Sequence, residues 1–136
     1  MNNRLAKWFV MTVLALAVSA CAPIQTEPRV TYPIVPEGSY LDLEYPVTNR
    51  MRQVEVQIIR PGTRPVVIVT GVGSRSRTGI EWSATWVDGN GREIQGTSSR
   101  FRRATINPGV RFQLEAEAPV ESAQTVRVRI RQSGNM

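Results

Sequence analysis

From residue 40 onward the chain is a series of short alternating segments broken by glycine and proline. The clearest is Gly79 to Val87, where Ile80, Trp82, Ala84 and Trp86 fall on one face at period two and Glu81, Ser83, Thr85 and Val87 on the other. Gln53 to Ile59 alternates in the same way, with Val54, Val56 and Ile58 opposed to Gln53, Glu55 and Gln57. Val66 to Thr70 is a continuous β-branched run, the composition of a buried strand. Phe112, Leu114, Ala116 and Ala118 alternate with Gln113, Glu115 and Glu117, and Val126, Val128 and Ile130 with Arg127, Arg129 and Arg131. Tyr40 to Tyr45 and Phe101 to Ile106 are weaker strands of the same kind.

The breaks carry turn chemistry. Arg60-Pro61-Gly62 ends one strand and Asn107-Pro108-Gly109 another. Asp88-Gly89-Asn90-Gly91 supplies the positive-φ positions of a tight hairpin, so Arg92 to Gln95 should return antiparallel, with Asp88 capping the turn through nearby backbone N–H groups. Gly71-Val72-Gly73-Ser74, with Arg75 and Arg77, reads as a mobile basic connection. No segment beyond the first 20 residues has an apolar stripe at 3.6-residue spacing. About seven short strands between such turns predict an all-β, immunoglobulin-like antiparallel sandwich over 39–136, with the tryptophan-bearing strand central. Cys21 is the only cysteine, so the fold has no disulfide.

The first 21 residues follow a different rule. Arg4 and Lys7 precede an apolar run from Trp8 to Ala20, and the small pair Ser19-Ala20 stands directly before Cys21. A secretory h-region is about 7–15 residues long and a spanning helix about 20, so this run is a leader rather than an anchor. A lipoprotein signal peptidase needs small side chains before its cut and a thiol after it to carry the lipid. The pattern therefore predicts a cleaved signal peptide over 1–20 and lipidation at Cys21. Ala22, in place of an aspartate that favours inner-membrane retention, points to the outer membrane with the domain facing the periplasm. Pro23, Pro28, Pro33 and Pro36 make residues 21–38 an extended tether, or leave its second half to pack along the domain as an irregular strand.

Charge narrows the function classes. The net charge is +6, and losing Arg4 and Lys7 with the leader lowers it to +4. Every later basic residue is arginine, since Lys7 is the only lysine. With no histidine, no free thiol and no lysine in the mature part, the usual bases, nucleophiles and metal ligands are missing, so neither an enzyme nor a cofactor or metal site is expected. An exported, acylated chain has no nucleic-acid partner.

The candidate binding residues are Arg75 and Arg77 together with Arg100, Arg102 and Arg103, which flank Phe101. They suit an acidic envelope protein, or the anionic groups of peptidoglycan or lipopolysaccharide. The plainer alternative is a solvated strand face. For Arg127, Arg129 and Arg131, antiparallel pairing of the last two strands would set Glu117 opposite Arg127 and Glu115 opposite Arg129, a register device rather than a site. Trp82 and Trp86, about 13 Å apart along a strand, form either a sugar-stacking pair or core; burial favours core, above all for Trp86.

Ile80-Glu81-Trp82-Ser83-Ala84-Thr85-Trp86-Val87-Asp88-Gly89-Asn90-Gly91-Arg92-Glu93-Ile94 resembles the YcfL-like family of small bacterial lipoproteins, with its aromatic strand ending in W-x-D, a glycine turn and a return strand. Asn107-Pro108-Gly109 and Ala118-Pro119 are similar to later elements of that family, so the resemblance runs from Val54 to Ile130. It departs at Gly71 to Thr78, which is more basic and richer in glycine. The resemblance implies a periplasmic, membrane-tethered β-sandwich and brings no activity with it. Two readings follow: a non-catalytic binding or assembly module for an envelope or secretion complex, or a structural lipoprotein touching peptidoglycan or lipopolysaccharide through its arginines.

Overall fold

The computed structural model describes residues 29–134, and two β-sheets enclose one core within them. The leader, Cys21 and the first part of the tether lie outside the described residues. The strands are β1 (Tyr40–Leu43), β2 (Met51–Ile59), β3 (Val66–Gly73), β4 (Thr78–Asp88), β5 (Glu93–Ile94), β6 (Arg102–Ile106), β7 (Arg111–Glu117) and β8 (Ala123–Gln132). One sheet has the order β1-β8-β4-β5, with β6 also paired to β4; the other is β2-β3-β7. This is the expected all-β sandwich. All its named strand pairs are antiparallel except β1 with β8, which run parallel.

The central strand is β4, as its alternation requires. Ile80, Trp82, Ala84 and Trp86 are all buried, against Val126, Val128 and Ile130 of β8 on the same sheet and Val54, Val56, Val67, Val69, Leu114 and Ala116 from the other. Trp86 is fully enclosed and Trp82 is only 4% exposed, so both rings are core and the sugar-stacking alternative falls. The Asp88 carboxylate accepts the backbone N–H groups of Asn90 and Arg92, each at 2.9 Å, and so fixes the β4–β5 hairpin as its turn chemistry implied.

Two expectations change, and a third point left open between two alternatives is decided. First, β7 and β8 are not neighbours: β7 pairs with β3 and β8 with β4, so Glu115 and Glu117 do not face Arg129 and Arg127. The chain crosses between sheets over Ala118–Ser122, with the Ala118 N–H held by the Pro65 carbonyl at 2.8 Å. Each strand alternates equally well beside the other or across the core from it, and the crossing is the usual Greek-key solution.

Second, Gly71-Val72-Gly73 belongs to β3 rather than to a mobile connection. Both glycines are there for close approach: a Cβ on Gly71 would meet the Phe112 ring at 2.6 Å, and one on Gly73 the Asn107 carbonyl oxygen at 1.9 Å. Third, of the two alternatives for the second half of the proline-rich segment, the chain takes the packed one. Ile34 donates to the Val54 carbonyl at 3.1 Å and accepts from Val56 at 2.8 Å, and the compact unit begins at Thr31.

Candidate functional site

The arginines fall into two populations. Those of β8 are satisfied within the domain. Arg127 pairs with Glu93 at 2.8 Å, and Arg129 with Glu44 at 2.8 Å and Asp42 at 3.5 Å. Arg131 reaches Glu81 at 3.0 Å and lies 3.7 Å over the Phe101 ring. Glu93, Asp42 and Glu81 belong to strands that flank β8 or to the strand beyond, so the ladder ties one sheet together sideways. A double-mutant cycle separates this arrangement from the expected one. Arg129 with Glu44 should show a coupling of about 0.2–1 kcal/mol, typical of exposed pairs, and Arg129 with Glu115 none. A measurable Arg129–Glu115 coupling would restore the side-by-side pairing of β7 and β8.

The sequence-predicted binding arginines divide as well. Arg102 stacks 4.5 Å over the Trp82 ring, closing the edge of the core. Arg103 shares Glu81 with Arg131, at 3.7 Å. Arg100 is exposed just beyond the 3₁₀ turn Thr97–Ser99. Arg75 and Arg77 lie in the β3–β4 connection, both exposed. The two groups do not merge. Thr78, beside Arg77, pairs with Ile106, whereas Arg102 pairs with Trp82; four positions on a strand put about 13 Å between those levels.

Arg75 has other company. The turn between β1 and β2, the first residues of β2 and the β3–β4 connection surround an open cavity of about 490 Å³ at one end of the sandwich. Tyr45, Thr48 and Asn49 form one wall, and Arg50, Arg52 and Arg75 line the rest with their neighbours. No carboxylate lines it. The ladder of β2 and β3 sets this up: Met51 pairs with Gly73 and Arg52 with Val72, so Arg50 stands beside Ser74 and accepts its N–H at 2.9 Å. The Arg50 guanidinium donates to the Ser76 hydroxyl at 2.6 Å. Arg52 and Arg75 have no ion-pair partner among the described residues.

The backbone is irregular at this point. The register shifts between Arg52 and Glu55, and Gln53 takes a φ of 54°, a left-handed conformation unusual for a side-chain-bearing residue. Such a bulge lets Met51 and Val54, three positions apart, both turn into the core. Arg50, Arg52 and Tyr45 were not among the sequence-predicted site residues. The one signal that pointed to them is the Asn49-Arg50-Met51-Arg52 run just where the strand begins.

The chain matches no family model and no curated protein. Two solved structures share its fold. A DUF1425 family member from Shewanella sp. pv-4 superposes with a TM-score of 0.54 at 16% identity, over 61% of this chain and 79% of that one. Campylobacter jejuni cj0090 superposes with a TM-score of 0.58 at 15% identity, over 70% of this chain and 99% of that one. At these identities the likeness is one of fold. At that level it is consistent with the YcfL-like resemblance read from the sequence.

Proposed function

We propose that this chain is a YcfL-like lipoprotein, held in the outer membrane by lipid on Cys21 and facing the periplasm, where it serves an envelope or secretion complex as a non-catalytic binding or assembly module. The observation that carries this reading is the cluster of three arginines, with no carboxylate among them, at one end of the domain. The arginines of β8 are neutralised by carboxylates on or just beyond strands of the same sheet, while Arg50, Arg52 and Arg75 gather without one at an open end of a rigid sandwich. Connections at the end of a rigid scaffold are where such folds usually place recognition residues. The leader supports the anchor: Ser19-Ala20-Cys21 is the small-small-cysteine step that lipidation needs. No histidine and no lysine after Lys7 supports the non-catalytic role.

Two measurements test it. Cys21→Ser should shift the protein from the outer-membrane fraction to a soluble or uncleaved form; unchanged fractionation with membrane removes the anchor from the proposal. Crosslinking in intact envelopes should join the wild-type domain to a defined protein partner, and Arg52→Ala with Arg75→Ala should weaken that product in a salt-sensitive way. Recovery of glycan alone would favour the structural reading, with peptidoglycan or lipopolysaccharide as the contact.

A further inference from the structure

We infer that the end cavity is a phosphoryl-binding site, a step that rests on the proposed binding role and names the chemistry its arginines would recognise. Three arginines line it from two chain segments, Arg50 and Arg52 from the entry to β2 and Arg75 from the β3–β4 connection. Arg50 closes the 3₁₀ turn Val47–Asn49 and Arg52 is the second residue of β2, so the two line the cavity from either side of Met51. Arg75 enters from the neighbouring segment, whose Ser74 N–H is bonded to the Arg50 carbonyl. The bond from Arg50 to Ser76 fixes one guanidinium in advance, which lowers the ordering cost of engaging a ligand.

The geometry favours phosphate over carboxylate. A carboxylate offers one negative charge and two oxygens in a single plane, so arginines that share it must approach within or near that plane. A phosphoryl group is tetrahedral, and its oxygens can be approached by forks from several directions at once. The cavity, at about 490 Å³, is far larger than a phosphate and leaves room for a larger body that carries the group. Tyr45, 81% exposed at the rim, provides a ring against which a sugar or a glycerol backbone can lie. The lining holds no acid to repel an anion.

The test is amide NMR of the full chain in non-ionic detergent, titrated with inorganic phosphate and, separately, with acetate at equal ionic strength. Phosphate should shift the amides of residues 50–52 and 74–76 in a saturable manner, at least tenfold more tightly than acetate. Arg52→Ala with Arg75→Ala should weaken phosphate at least tenfold, and Arg127→Ala, which removes a paired arginine, should not. Equal response to acetate, shifts spread over all arginines, or equal loss with Arg127→Ala would each overturn the site. Glycerol 3-phosphate and vesicles containing phosphatidylglycerol then separate a soluble phosphate ester from a lipid headgroup. If phosphate fails to bind while the crosslinked protein partner is kept, the phosphoryl site falls and the binding module stands. If phosphate binds and no protein partner is found, the reverse holds.

Discussion

Trp86→Ala should cost the domain about 3–5 kcal/mol, the range for truncating a buried ring. The ring is fully enclosed and sits mid-sheet, with its strand paired to Val126 on one side and Ile94 on the other. A domain of this size has about 5–15 kcal/mol in total, so the variant should melt far below the parent or fail to accumulate. Trp86→Phe should lose much less. The Trp86 indole N–H is buried without a hydrogen-bond partner, and a desolvated, unpaired donor costs about 1–3 kcal/mol. Phenylalanine removes that penalty while keeping most of the packed surface. Denaturant melts of both variants check the pair. An alanine variant with the parent's midpoint, but with lost binding, would make Trp86 a ligand contact instead of a core residue.

The same strand shows how far the sequence could be read. Four apolar residues at period two announced β4 and its core face, because a strand has only two faces and the other carries Glu81, Ser83 and Thr85 before Val87. The β4–β5 hairpin was equally plain, since Asp88 and the glycines leave few other conformations. Pairing was harder. Setting Glu115 against Arg129 and Glu117 against Arg127 assumed that consecutive strands are neighbours, and nothing local says that Ala118–Ser122 crosses to the other sheet. Gly71 and Gly73 misled for a related reason. Glycine usually breaks a strand, but here its missing side chain lets Phe112 and the Asn107 turn come close, and those contacts are more than 30 residues away.

The candidate site was half legible. Arg75 stood out as a basic residue in a connection, yet its company could not be seen, because Arg50 and Arg52 reach the cavity only through the β2–β3 register. Arg102 and Arg103 looked equally free and are not. Their strand pairs with β4, so Trp82 and Glu81 receive them. Charge along a chain reports where arginines are; pairing decides which of them the fold has already used.

That register depends on Gly73, and Gly73→Ala is the second substitution with a large expected effect. An added Cβ would lie 1.9 Å from the Asn107 carbonyl oxygen, 2.8 Å from its carbon and 2.9 Å from Ile106 Cγ2. The first two are backbone atoms, which cannot rotate aside as a long side chain can. They are also held in place: Gly73 donates to the Val110 carbonyl at 3.0 Å, and Gly109 donates to the Gly73 carbonyl at 3.0 Å. The clash can be relieved only by undocking the Asn107–Val110 turn or by displacing the end of β3. Overpacking of this kind costs about 1–3 kcal/mol and occasionally more, and a backbone obstacle puts Gly73→Ala at or above the top of that range. Gly62→Ala is the matched control, because nothing lies within 4 Å of its added carbon; it should stay within about 0.5 kcal/mol of the parent. The two variants also differ in reach. Ser74 and Arg75 follow Gly73 directly, so moving the end of β3 moves Arg75 relative to Arg50 and Arg52, and Gly73→Ala should weaken phosphate binding even at temperatures where the domain stays folded. Equal midpoints for the two alanine variants would mean that the turn does not pack on β3 and that the cavity lacks the support described for it.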